Sequence, residues 1–110
     1  MPPVTIPPKY IISVNDVETV SIDYSKHLDN SELLIGSPTV PAVTDITISN
    51  ERINSKSYRD KKGKLVLSKK AAQFSITSAV IGDYTIVVSV TTDANPGPRT
   101  FIRQIIIGIV

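Results

Sequence analysis

The feature that most constrains this chain is its period of two. Val20, Ile22 and Tyr24 alternate with Thr19, Ser21 and Asp23. Ile46 and Ile48 alternate with Asp45, Thr47 and Ser49, and Ala72, Phe74 and Ile76 with Gln73, Ser75 and Thr77. Tyr84, Ile86, Val88 and Val90 alternate with Thr85, Val87, Ser89 and Thr91, and Leu65 and Leu67 flank Val66. Side chains two apart share one face of a strand, so each run predicts a half-buried β-strand. No window sustains the 3.6-residue period of a helix. Only "DYSKHLDNSE" (23–32) predicts a turn or two, with Ser25 as N-cap and Leu28 turned inward. Turn signals separate the runs: "GSPTVP" at 36–41, "DKKG" at 60–63, "IGD" at 81–83 and "DANPGP" at 93–98. The expectation is an all-β protein, an antiparallel sandwich of about six to eight strands. At 110 residues it is one domain.

Two segments depart from this alternation. Pro2, Pro3, Pro7 and Pro8 fix φ and remove backbone donors, so residues 1–10 are expected to form an extended arm on a domain of residues 11–110. Residues 52–70 read as a projecting hairpin: "RINSKSY" ascends, "RDKKG" turns with Gly63 in the left-handed position, and "KLVLS" returns.

Charge is polarised between these regions. Residues 1–50 carry Lys9 and Lys26 against Asp16, Glu18, Asp23, Asp29, Glu32 and Asp45, a net of −4. Residues 51–70 carry eight Lys and Arg side chains against Glu51 and Asp60, a net of +6. Arg59, Lys61, Lys62 and Lys64 concentrate at the hairpin tip, where they suit an acidic protein surface. Nucleic acid is the weaker match, because Tyr58 is the one ring in this stretch available for stacking.

Catalytic chemistry is not expected. His27 is the single histidine and lies in a polar stretch, and there is no cysteine for a thiolate nucleophile or a soft metal site. The glycines stand singly, so no phosphate-cradling loop forms, and "DNSE" lacks calcium-loop spacing. No cofactor is expected. The start "MPPVTIPP" lacks the basic and apolar regions of a secretory leader, and the apolar run at 105–110 is too short for a membrane helix. The expectation is a protein made in the cytoplasm, without a membrane partner.

The last strand carries the strongest hint of a partner. Phe101, Arg103, Ile105, Ile107 and Ile109 share one face; Ile102, Gln104, Ile106, Gly108 and Val110 share the other. From Ile105 onward both faces are apolar, yet a two-layer sandwich can bury only one of them. Ile105, Ile107 and Ile109 are expected in the core, and Ile106 and Val110 at an interface or under the chain's own N-terminal segment. Each such side chain left in water forgoes roughly 1.5–3 kcal/mol.

The segment "AVIGDYTIVV" (79–88), with Gly82 two residues before Tyr84 at a strand start, resembles the tyrosine corner of immunoglobulin-like sandwiches. Taken in order, "VETVSIDYSKHL" (17–28), "LLIGSPTVP" (33–41), "GDYTIVVSVTT" (82–92) and "DANPGPRTFIRQIIIGIV" (93–110) resemble the elements of small tailed-bacteriophage virion proteins with an Ig-like fold. The chain departs from them in having Tyr24 where tryptophan is usual, and in its cationic hairpin. The resemblance implies a non-enzymatic structural protein of the virion. A capsid decoration (cement) protein on the major-capsid shell is favoured over a neck or tail adaptor ring joining head, tail or fibre, and a host-surface or nucleic-acid-binding module is more distant. It implies contacts with the major capsid protein or other virion subunits and with further copies of itself. Pro2, Pro3, Pro7, Pro8, Arg59, Lys61, Lys62, Lys64, Ile106 and Val110 are the candidate contact residues.

Overall fold

In the computed structural model, which describes residues 9–29, 31–94 and 97–110, the period-two runs become strands of two facing sheets. Strands β1 (Lys9–Ile12), β3 (Leu34–Thr39), β8 (Gly82–Thr92) and β9 (Thr100–Ile109) form one sheet in the order β1-β9-β8-β3. Strands β2 (Glu18–Asp23), β4 (Thr47–Ile53) and β7 (Ala71–Thr77) form the other in the order β2-β7-β4. A two-stranded ribbon, β5 (Tyr58–Arg59) with β6 (Leu65–Val66), forms a small third sheet. The expectation of an all-β sandwich is met.

The core lies between the sheets. Val20 and Ile22 of β2, Phe74 and Ile76 of β7, Ile86, Val88 and Val90 of β8, and Ile105, Ile107 and Ile109 of β9 are all buried. Each such side chain contributes roughly 1.5–3 kcal/mol of transfer free energy. The division of β9 into a core face and an outer face is therefore as the alternation predicts. On the outer face Ile106 is half-buried, whereas Ile102 and Val110 stay 71% and 59% exposed.

Gly108 shows what closes part of that outer face. A β-carbon there would come within 2.9 Å of Lys9 Cε, 3.0 Å of Ile11 Cδ1 and 3.1 Å of Asp83 Oδ1. With glycine there, the side chains of β1 and β8 lie over β9 unshifted, and Lys9 ion-pairs with Asp83 at 3.3 Å. The strand's end is fixed by backbone bonds: Val110 N–H donates to Ile12 and its carbonyl accepts from Val14.

Several expectations need correction. Lys9 and Tyr10 do not belong to the arm: they open β1, which pairs with β9 in parallel, so the sandwich is not wholly antiparallel. The prolines at 2, 3, 7 and 8 lie outside the described residues. "GSPTVP" does not lie wholly in a turn: its first four residues belong to β3, which absorbs them as an irregularity with Gly36 at φ +69° and ends at Thr39. The helical stretch is a single 3-10 turn, Ser25–His27. Ser25 is not its cap: Asp23 Oδ1 accepts from both the Ser25 N–H (2.9 Å) and the Ser25 hydroxyl (2.5 Å).

The segment 52–70 is the largest revision. Arg52 and Ile53 are the end of β4, paired with Gln73 and Ala72, and only residues 58–66 make the ribbon. The ribbon does not stand out freely. It folds back on β2, where the Tyr58 and Ser21 hydroxyls hydrogen-bond and Lys64 Nζ pairs with Asp23 at 3.1 Å. Val66 is fully buried, while Leu65 and Leu67 are about half exposed.

Candidate functional site

Where the ribbon folds back, it roofs a groove of about 560 Å³ along the side of the sandwich. Four elements meet there: Tyr10 from β1, Thr19, Ser21, Ile22 and Asp23 from β2, Arg103 from β9, and Tyr58 to Lys62 from the ribbon. A smaller recess of about 280 Å³ continues from it, lined by Lys26, His27 and Lys64 and sharing Asp23, Asp60, Lys62 and Arg103.

The ribbon is planted by one buried polar side chain. Asn54 is 3% exposed and makes four hydrogen bonds. Its Nδ2 donates to the Lys56 carbonyl (3.0 Å) and the Leu67 carbonyl (2.8 Å). Its Oδ1 accepts from the amides of Lys70 (3.1 Å) and Ala71 (2.9 Å). Both stems of the loop are thereby clamped to one residue. Lys70, also buried, donates its ammonium to the Glu32 carbonyl at 2.6 Å. At the tip, Asp60 Oδ1 accepts from the amides of Lys62 and Lys64, and Gly63 takes φ +81° to complete the turn.

The groove lining has a positive excess, with Arg59, Lys61, Lys62 and Arg103 against Asp23 and Asp60. Its two carboxylates are already engaged, Asp60 by the turn and Asp23 by Ser25 and Lys64. Burial alone would raise the Asp23 carboxyl, but the Ser25 and Lys64 hydrogen bonds together hold it below its ordinary range. Lys61, Lys62 and Arg103 form no ion pair with any described residue. Burial raises the phenols of Tyr10 and Tyr58. The groove thus has an apolar, aromatic floor and a rim of spare cations, suited to an anionic group carried on an apolar body.

Of the candidate contact residues, Arg59, Lys61 and Lys62 line this groove and Lys64 its extension, so the structure brings the four together. Ile106 and Val110 belong to the outer side of β9, away from the core-side position of Arg103. Ile106 lies opposite Lys9 and Thr85, and Ile11 opposite Gly108; none of the four tip cations lines that side.

A second charged cluster has the opposite character. Glu32 is 4% exposed. Arg99 grips it through Nε at 2.9 Å and again through Nη2, the Thr92 hydroxyl donates to it at 2.6 Å, and it accepts from the Asp29 amide. The Arg99 and Thr92 hydrogen bonds outweigh burial and hold this carboxyl down to about 2. Arg99 also bonds the His27 carbonyl and stacks 5.1 Å from the Phe101 ring, which in turn stacks on Tyr24 at 6.2 Å. This clamp fastens the loop after β2 to the loop before β9, and its charges are internally satisfied.

Tyr24 is the exception. Its hydroxyl is buried with no hydrogen-bond partner among the described residues, and burial pushes it up to about 12. Tyr84 donates its hydroxyl to the Val80 carbonyl at 2.9 Å, in the connection between β7 and β8.

Asn54, Glu32 and Arg99 were not singled out from sequence. Their partners are far along the chain, 67 residues for Glu32 and Arg99. The one local signal was a carboxylate set against the apolar stretch "LLIG". Among the described residues no group of three or more His, Asp or Glu side chains could hold a metal, and no helix is long and apolar enough to cross a membrane. No family model, curated protein or solved structure matches the chain.

Proposed function

We propose that this chain is an immunoglobulin-like structural module of a tailed-phage virion, a capsid decoration protein that binds the assembled shell. The immunoglobulin-like reading is supported by strand order. β2-β7-β4 facing β1-β9-β8-β3 follows the B-E-D and G-F-C arrangement of such sandwiches, with the ribbon inserted between the D- and E-like strands. The Tyr84–Val80 bond lies where a tyrosine corner would.

The observation that carries the assembly reading is the outer face of β9. Ile102, Ile106 and Val110 lie along the outer side of β9, with Gln104 between the first two and Gly108, covered by Lys9, Ile11 and Asp83, between the last two, on a sheet whose other side packs a core. Ile102, Ile11 and Val110 are large apolar side chains left in water, and a partner seated on this face would bury them. The partner proposed is the major capsid protein, with this face seated on the shell. No catalytic role is assigned.

Mass analysis of purified particles tests this reading. On the order of hundreds of copies per particle fit a decoration protein; about six or twelve point to a ring in the neck or tail. Absence from particles overturns both.

A further inference from the structure

The groove has a structural complement elsewhere on the same molecule. Between β1 and β2 the chain makes a tight turn, with Asn15 at φ +68°, its N–H donating to the Ser78 carbonyl and the Asp16 N–H to the Ser13 carbonyl. The turn presents Asp16, Val17 and Glu18 outward, and Val17 is 68% exposed. Neither carboxylate is ion-paired or hydrogen-bonded through its side chain to any described residue. An exposed apolar side chain between two spare carboxylates complements the groove, whose lining combines Tyr10, Ile22 and Tyr58 with the unpaired cations Lys61, Lys62 and Arg103, beside the engaged Asp23 and Asp60. The turn begins β2 and the groove runs along β2 toward its end, so one molecule cannot fill its own groove with its own turn.

We propose that the hairpin groove is a self-association site that takes the Asp16–Val17–Glu18 turn of a second copy. Turn into groove is a head-to-tail contact between different surfaces, so it propagates: it closes into a ring where the rotation permits, and otherwise runs on as a row of subunits. Val17 enters between the tyrosines, Asp16 and Glu18 meet the lysines and Arg103, and the contact weakens as salt rises. This inference does not rest on the virion reading, since the two surfaces are complementary whatever larger object the copies join.

Sedimentation equilibrium at low salt tests it with two charge-reversed proteins, K61E/K62E and D16K/E18K. All four positions are exposed, and melting curves confirm that each variant is folded. The wild type is expected to associate in a concentration-dependent way, and each variant alone to associate at least about tenfold more weakly. Mixing the two variants restores association, because each then offers the complement the other lacks. The proposal is overturned by a wild type that remains monomeric at about 1 mM. It is equally overturned if either reversal associates like the wild type, or if the mixture stays as weak as its components. Particle binding retained by monomeric variants would separate this contact from the one that holds the protein on a shell.

Discussion

The root and the tip of the 54–70 loop are built from similar residues and do opposite things. At the root, Asn54 and Lys70 are buried and engaged: four hydrogen bonds to one amide side chain, and an ammonium held on the Glu32 carbonyl. At the tip, Lys61 and Lys62 are exposed and unpaired, although an aspartate stands next to them. That aspartate is occupied by the turn's own amides. The contrast separates holding a shape from presenting a charge. A polar group taken out of water must find its partners inside the protein, and such groups fix the loop. Cations left in water add little to stability and remain free to meet another surface.

The largest test of this contrast is Asn54→Ala. It strands two amides and two carbonyls at the root, and chemical denaturation should show a loss of about 2–4 kcal/mol. A loss below about 0.5 kcal/mol would mean that the root does not hold the loop.

Acid should act next, through the clamp that shares Glu32 with the root. The folded Glu32 carboxyl sits at about 2, below its ordinary 4.5. A depressed carboxylate stabilises the fold above the unfolded value and loses that contribution as pH falls through the folded value. Stability should therefore decline from about pH 4.5 toward pH 2, and Glu32→Gln should flatten that decline while lowering the denaturation midpoint at pH 7. An unchanged acid limb in the variant would remove the clamp from the account.

Tyr24→Phe sharpens the same rule from the other side. It removes a buried hydroxyl that has no partner among the described residues and keeps the ring on Phe101, so a gain of about 1 kcal/mol is expected by thermal or chemical denaturation. A loss of similar size would mean that the hydroxyl is satisfied. At the tip, Lys61→Ala with Lys62→Ala should leave stability within about 0.5 kcal/mol of the parent in urea titrations. A larger change would put the tip in the fold's own framework.

The legible and illegible parts of the molecule divide along the same line. The two faces of β9 could be read from alternation because a strand's side-chain period is a local property. Ile105, Ile107 and Ile109 could therefore be assigned to the core, and Ile106 and Val110 to the other side. The four cations of the tip could be read because charge clusters in sequence. β1 was hidden because four residues beginning "KY" show too little pattern, and its pairing partners in β9 lie 97 positions further along the chain. Asn54 was hidden because an asparagine in a polar stretch looks like any loop residue; its importance comes from carbonyls and amides up to 17 positions away. The groove itself could not be read, since β1, β2, β9 and the ribbon meet only in the folded chain.

The central claim is that this sandwich is a binding module whose outer β9 face seats on a larger assembly. Co-sedimentation with particles stripped of the protein tests it most directly, comparing the wild type with Ile102→Asp, a change at a side chain already 71% exposed. The account predicts saturable binding by the wild type, and a folded, equally stable Ile102→Asp that remains in the supernatant. Equal binding by the two proteins, or no binding by the wild type, would contradict it.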